Sequence, residues 1–402
     1  MIAVLRRRDF GLLWLAGLVS VAGDWVLMTA LPYVVYDRTG SVLATAGMVA
    51  AQLAPSIVLS SFAGVFVDRW DRRRVLVVTN VLQGLAVTAL LLVGDGSLWI
   101  VYAVAAAQSA FASFSQPAEA ALLPTLVREE QLVAANALNV LNNRLGRLGG
   151  VPLGAVLLAT FGLSLVVVVD AVSFLVAAAL VAAMRHRDQP HLEEGDATRA
   201  FARFWSEWIA GLRIVREDQT IAVLFVVLGL MTFGGTMLDP LFAPWIRDIL
   251  GQGVDAVAIL TVTSSLAGVA GSLVVGSVGA RLSSRALMGW GSVIAGGLLL
   301  AKFNVPSLWV AVALSAVGGI TAVASSVGVE TLAQERTPEH VRGRVFGSLQ
   351  ATVWLMSLLG AVVGGLVGEL VGLLPALDLA AALVLLSGVV VLALVRDAGH
   401  SA

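Results

Sequence analysis

The sequence predicts an all-α integral membrane protein with twelve transmembrane helices in two six-helix bundles. Three observations predict it. Of 402 residues, 58% are hydrophobic and only 13% are charged, roughly half the charged share of a soluble domain. The mean hydropathy is +0.93, which does not suit a water-exposed surface. The chain also breaks into repeated apolar runs near the ~20 residues that a membrane helix needs. A soluble enzyme, a disordered chain and a nucleic-acid binder are excluded on these grounds. The formal net charge of −1 points to no polyanionic partner.

The elements follow in order. Arg6, Arg7 and Arg8 precede the first apolar run, as in a signal peptide. That run continues past one acid, Asp24, to Tyr36, and many similar runs follow, so it reads as a first span rather than a leader. Residues 39–67, 75–94, 96–118, 219–238, 256–280, 303–329 and 345–368 contain no Asp, Glu, Lys or Arg, and shorter clean runs cover 286–301 and 379–395. The stretch 148–184 is broken only by Asp170 and is long enough for two spans, with a turn near Phe161-Gly162-Leu163-Ser164. The expected spans are 10–36, 42–67, 75–93, 98–118, 138–161, 163–184, 219–246, 254–279, 286–303, 307–331, 345–373 and 375–395. In lipid each segment must satisfy its own backbone, so these are helices. With the N-terminus cytoplasmic, only Arg38, Arg247 and Lys302 of the 25 basic residues fall outside, which sets both termini inside.

The longest polar stretch, 185–218, divides the chain into an N-terminal bundle (1–184) and a C-terminal bundle (219–402). Two local matches indicate duplication. Ser97-Leu98-Trp99 matches Ser307-Leu308-Trp309 at an offset of 210, and Gly64-x-x-x-Asp68-Arg69 matches Gly276-x-x-x-Ala280-Arg281 at 212. Parallel repeats of this kind are a transporter architecture. Within the linker, Phe204, Trp205, Trp208, Ile209, Leu212 and Val215 recur at helical spacing among charges. That suits a helix lying in the cytoplasmic interface, expected to be a plain amphipathic connector ahead of any regulatory element.

The loop after the second span reads Gly64-Val65-Phe66-Val67-Asp68-Arg69-Trp70-Asp71-Arg72-Arg73-Arg74. It resembles the loop 2–3 signature of the major facilitator superfamily, with Asp71 in place of the usual second glycine. In that departure, and in Gly23-Asp24-Trp25, Asp170-Ala171-Val172-Ser173-Phe174 and the stretch from Pro117 to Leu138, the chain is similar to the branch of enterobactin exporters and macrolide efflux pumps. The resemblance implies alternating access, with Gly64, Asp68, Arg69, Asp71, Arg72 and Arg73 as a conformational latch. A carboxylate there can pair with arginines and with free amides at a helix N-terminus. The alternative is a set of topology-setting arginines with solvated acids. Gly146 to Gly154 carries a degenerate glycine-proline motif around Pro152, and Gly360-x-x-x-Gly364-x-x-x-Gly368 reads as a packing stripe; small residues permit close helix approach.

An ionisable group inside a span is costly and is a functional hypothesis by default. Asp24 lies about 21 Å along its helix from Phe10 at 1.5 Å per residue, near mid-membrane. It shares a face with Gly17, Ser20 and Met28. It is expected to bind a proton when substrate leaves, or to pair with a cationic substrate; a structural acid bonded to Gln52 or to an arginine is the alternative. Asp170 is a second candidate for proton coupling or substrate binding; a structural acid bonded to Ser173 or to the span-five backbone is the alternative. Arg144 and Arg147 can snorkel or serve as counter-ions. Asp239-Pro240 weakens span seven and offers a gate. Gln108, Asn139, Asn142, Asn143 and Gln350 are candidates for a polar cavity, while Glu119, Glu330, Glu369 and Asp378 read as interfacial.

With no cysteine and four scattered histidines, no metal site is expected. No Gly-x-x-x-x-Gly-Lys-Ser/Thr loop occurs, so the energy source is expected to be a proton gradient rather than ATP. The expected partners are protons, the lipid bilayer and an amphipathic small molecule of drug, macrolide or siderophore type, with a monomer sufficient. Export is the first expectation. A proton-coupled importer on the same fold, or a non-transporting sensor or assembly protein, is the alternative.

Overall fold

The computed structural model describes residues 2–94, 97–186, 219–279, 282–337 and 342–395. The expected interfacial helix of the linker lies outside the described residues. After a single turn at Ile2–Leu5, the helices of the first half are α1 (Arg8–Thr39), α2 (Val42–Arg69), α3 (Arg72–Thr88), α4 (Trp99–Leu122) and α5 (Leu132–Ala182). Those of the second half are α6 (Gln219–Pro244), α7 (Val254–Val278), α8 (Ser284–Asn304), α9 (Leu308–Arg336), α10 (Arg342–Leu370) and α11 (Leu373–Leu394).

A helix of 51 residues would run about 76 Å at 1.5 Å per residue, far beyond a bilayer. The unbroken appearance of α5 is therefore misleading. Gly162 takes φ 73°, ψ −175°, a conformation open to glycine and strained for other residues. On one side of it Gly146 packs against Val21 and Gly150 against Ala22 and Trp25; on the other, Asp170 and Ser173 pack against Gly23. Two legs that meet one short stretch of α1 must form a hairpin, reversing at the Phe161–Ser164 turn expected from the sequence.

Ten helices among the described residues are long and apolar enough to cross a membrane, against an expected twelve. The difference falls at two places. The hairpin α5 counts once, within Glu129–Ala182, and α4 is not among the ten. The 24 residues of α4 carry Gln108, Ser109, Ser113, Ser115 and Gln116, which lower its hydropathy. The large exposed side chains, among them Leu92, Trp99, Val133, Leu273 and Trp309, make the apolar coat of a multi-pass membrane protein.

The chain packs as two compact units: residues 1–38 with 51–203, and residues 39–50 with 204–402. Phe10, Leu13, Leu76, Leu122, Leu138 and Val181 form a buried cluster in the first. Ile221, Leu224, Met288, Leu332, Leu349 and Val391 do so in the second. Close packing follows the glycine stripes. On α10, Gly360 meets Phe233, Gly364 meets Met237 and Gly368 meets Leu241. In the first unit Asp9 accepts from the N–H groups of Arg185 and His186 at 3.1 and 2.9 Å, tying the start of α1 to the end of α5.

Pro240 does not interrupt α6, which stays helical through Asp239 to Pro244. The distortion comes later, as a π-turn at Trp245–Ile249. A proline removes one backbone donor, and the register shift appears after two of them.

Candidate functional site

The first unit contains a partly open cavity of about 380 Å³. Helical periodicity explains its lining. Leu13, Gly17, Ser20 and Asp24 make one stripe of α1, and Ala112, Ser115, Gln116 and Glu119 make one stripe of α4. α3 contributes Asn80 and Gln83, and α5 contributes Asn139, Asn142 and Asn143 from its first leg and Phe174 from its second.

The chemistry of this space is one-sided. Asp24 and Glu119 both line it. Asp24 and Asp170 lie close enough for their charges to act on each other. Among the described residues no Lys, Arg or His lies within salt-bridge distance of Asp24, Glu119 or Asp170. Two ionised carboxylates in a low-dielectric interior repel strongly, and a proton or a cation between them removes that repulsion. Buried acceptors add to the imbalance. Asn142 donates from Nδ2 to the Trp14 carbonyl at 2.6 Å, while its Oδ1 has no partner. Gln108 donates to the Gln83 carbonyl at 3.4 Å, and its Oε1 likewise has none. Asp170 accepts from Ser173 at 3.5 Å on Oδ1, leaving Oδ2 unpartnered. Buried acceptors without donors are rare and call for a proton, water or cation.

Gly17 keeps the space open. A Cβ there would stand 3.2 Å from Asn142 Nδ2 and 3.7 Å from Glu119 Oε1. Gly146, Gly150 and Gly154 bring α5 against α1, which places the asparagines of α5 opposite Asp24.

Of the residues singled out from sequence, the structure places Asp24 and Asn143 on the cavity, Asp170 beside Asp24, and Gln108 beside the lining residue Gln83. It does not bring Arg144, Arg147, Gln52 or Asp239 there. Arg144 is exposed, and the Arg147 guanidinium sits 4.7 Å from the Trp25 ring centroid; neither reaches an acid. Gln52 is half-buried on α2, and Asp239 lies in the second unit. Glu119 corrects the expectation that it is interfacial. It sits three residues before the end of α4, yet its stripe turns it inward. Its spacing from Ala112, Ser115 and Gln116 was the signal available.

The loop 2–3 cluster takes specific form at its second half. Asp71 caps α3, accepting from the Arg74 N–H at 3.0 Å, and pairs with the Arg74 side chain at 3.5 Å. Arg73 donates to the carbonyls of Val181, at 3.1 Å, and Ala182. These bonds brace the first unit internally. Arg69 and Arg72 are each engaged as well. The side chains of Gly64 and Asp68 lie outside the described residues.

The chain matches, over residues 1–400, the family model described as transmembrane secretion effector of the major facilitator type. It is 25% identical over 281 residues to an MFS-type transporter of Bacillus subtilis, YvqJ. That match spans 69% of this chain and 65% of the relative, just under two thirds of its length. It is 24% identical over 360 residues to macrolide efflux protein A of Streptococcus pyogenes, spanning 88% of this chain and 87% of that protein. The crystal structure of a bacterial homologue of the iron transporter ferroportin in its inward-facing state superposes with a TM-score of 0.74. That alignment covers 96% of this chain and 98% of the other, at 18% identity.

Proposed function

Because this chain belongs to the transmembrane secretion effector family of the major facilitator superfamily, a family of multi-pass membrane transporters and not enzymes, we propose that it exports cationic amphipathic small molecules in exchange for protons. The observation that carries this reading is the cavity of the first unit. It presents Asp24 and Glu119 with no basic partner among the described residues. A space rich in acceptors and empty of cations selects protons and organic cations by charge and rejects organic anions. Its glutamine and asparagine side chains supply further acceptors for a polar substrate edge. Protons and substrate compete for the same carboxylates, so binding one displaces the other, which is the requirement for antiport. The efflux relative in Streptococcus pyogenes supports the outward direction and the drug-like substrate class.

In this reading the chain crosses the membrane twelve times. α5 supplies two crossings on either side of Gly162, and the polar α4 supplies one. Residues 1–184 and 219–402 are the two six-span halves, and 185–218 is the cytoplasmic linker. Asp68, Arg69 and Arg72 serve as the conformational latch, while Asp71 and Arg73 hold α3 in place beside it. A normally expressed Asp68→Asn protein that transports at the wild-type rate would remove the latch from the proposal.

The test is intracellular accumulation of macrolides, cationic dyes and siderophores in pump-deficient cells. Wild type, Asp24→Asn and Glu119→Gln are compared, with and without a protonophore. The expected result is accumulation of macrolides or dyes lowered about tenfold by the wild type. Either substitution and the protonophore should restore it. Accumulation above that of empty cells would overturn export in favour of import. Export indifferent to both substitutions would remove the carboxylates from the mechanism.

A further inference from the structure

We propose that the second unit holds a separate site for a single-chain organic anion, with its acidic head at Lys302 and its apolar chain between α8 and α9. The site is independent of the export reading and of the carboxylate cavity. Lys302 is 8% exposed, near the end of α8. Among the described residues no carboxylate lies within salt-bridge distance of it. The acid nearest that helix end in the bonding pattern, Asp378, is held by Asn304 at 2.6 Å. The ammonium instead stands 5.3, 5.2 and 5.7 Å from the ring centroids of Phe242, Trp245 and Phe303. The rings brace one another, Trp245 against Phe303 at 5.1 Å and 87°. Aromatic faces compensate a buried cation only in part, and an acidic head would complete the charge balance.

The space beside it has the matching shape. A cavity of about 210 Å³ is lined by Lys302 and Ser315 together with Leu298, Leu299, Leu314 and Gly318. The α8 lining residues Ala295, Leu298, Leu299 and Lys302 fall on one helix face, at spacings of three and four. The chain turns back after Asn304, so Lys302, Leu314 and Ser315 are the lining residues nearest the connecting turn, and Ala295 and Ala322 lie about two turns deeper. The polar end carries Lys302 and Ser315 and no acid. Ser315 is 5% exposed and its hydroxyl has no partner; the Trp245 indole N–H, from the ring beside Lys302, is also buried without an acceptor. The ammonium and the Ser315 hydroxyl, both on the cavity, can donate together to an acceptor carrying negative charge. The deeper wall is aliphatic apart from Ser264, whose hydroxyl donates to the Leu260 carbonyl at 2.9 Å, and it suits an alkyl chain. Gly318 borders that space, and a Cβ built on it meets nothing within 4 Å.

The test uses the full-length protein purified in a neutral maltoside detergent. Sodium decanoate, decyltrimethylammonium and decanol are titrated while the thermal unfolding midpoint is read. Decanoate should raise the midpoint saturably, and the matched cation and alcohol should not. Lys302→Met should weaken the apparent decanoate affinity at least tenfold. Gly318→Leu fills the chain space about one turn beyond Ser315 while keeping the lysine, and should abolish the response, so the proposal survives if one variant folds poorly. Native mass spectrometry separates the sources. An anionic lipid retained by wild type and absent from both variants identifies a membrane occupant; an empty wild type that takes up decanoate identifies a solute. Decanoate acting equally on all three proteins, or no better than the cation, would overturn the site.

Discussion

Gly17 and Asn142 set how much room Asp24 has. The amide of Asn142 is fixed by its bond to the Trp14 carbonyl, and Trp14 donates in turn to the Leu138 carbonyl at 2.9 Å. This reciprocal pair locks α1 to the first leg of α5 and leaves Asn142 Oδ1 facing an unmet need for a donor. A side chain at position 17 has Asn142 Nδ2 3.2 Å from its Cβ, so its outer atoms must enter the cavity. Gly17→Leu is expected to cut transport at least tenfold while shifting the thermal midpoint little, since the void takes up the added volume. Flux and melting curves on the same preparation decide this, and a parallel loss of both would mark Gly17 as a packing residue only. Asp24 was legible in the sequence because an acid in an apolar run has no bland solvent-facing explanation. Glu119 was not, because an acid three residues from a helix end usually reaches water. Only the direction of its stripe separates the two cases, and direction is set by tertiary packing. The same limit applied to Arg147, which a sequence offers as a counter-ion and the fold lays against Trp25.

The duplication is visible at the level of elements, in bonds rather than in residue identity. Asp71 caps α3 through the Arg74 N–H; Ser283, 212 positions later, caps α8 through the Ala286 N–H at 3.2 Å. Arg73 reaches the last carbonyls of α5, and Arg285, again 212 later, reaches the Leu392 carbonyl near the end of α11. Gly84 of α3 lies against Ala171 and Leu175, while Gly296 of α8 lies against Leu385. Each half thus builds the same joint: a capped helix start, an arginine clasp on the last helix and a glycine where the two cross. Ser283→Ala should cost about 1 kcal/mol, as helix caps do. Arg285→Ala should cost about 1.5–3 kcal/mol, the range for hydrogen bonds to a charged group. Thermal midpoints read both, with Arg285→Ala expected to be the lower. Gly296→Leu should prevent folding, since a Cβ there meets the Leu385 backbone nitrogen at 2.6 Å. Gly297→Ala, with nothing within 4 Å of the new atom, is the neutral control, and equal yields of the two proteins would refute the contact. The offset of 212 was already in the sequence at Gly64 and Gly276. What hid the joint was chemical substitution, since Asp and Ser cap equally well while sharing no charge.

For the whole molecule, the two buried clusters argue that each unit has its own core. The units do not coincide with the halves of the sequence, because residues 39–50 group with the second unit while the rest of α2 groups with the first. Composition gives little warning of this: residues 39–67 carry no charge, and only Gln52 breaks the apolar run near Ala50. The 185–218 stretch, by contrast, announces itself by its polarity. A chain cut after position 200 leaves both clusters intact and places residues 39–50 on the N-terminal fragment. That fragment then carries a piece that groups with the other fragment, which gives the two a reason to associate without a covalent link. Co-expressed fragments 1–200 and 201–402 are therefore expected to co-purify through a tag on either one and to restore at least a tenth of the intact protein's transport, while either fragment alone transports nothing. Replacing Ala44, Ala46 and Met48 with larger or charged residues should abolish co-purification of the fragments yet leave the intact chain assembled, because a covalent linker raises the effective concentration of one half near the other to the millimolar range. Co-purification that ignores those replacements would place the association elsewhere and separate the grouping of residues 39–50 from the assembly of the transporter.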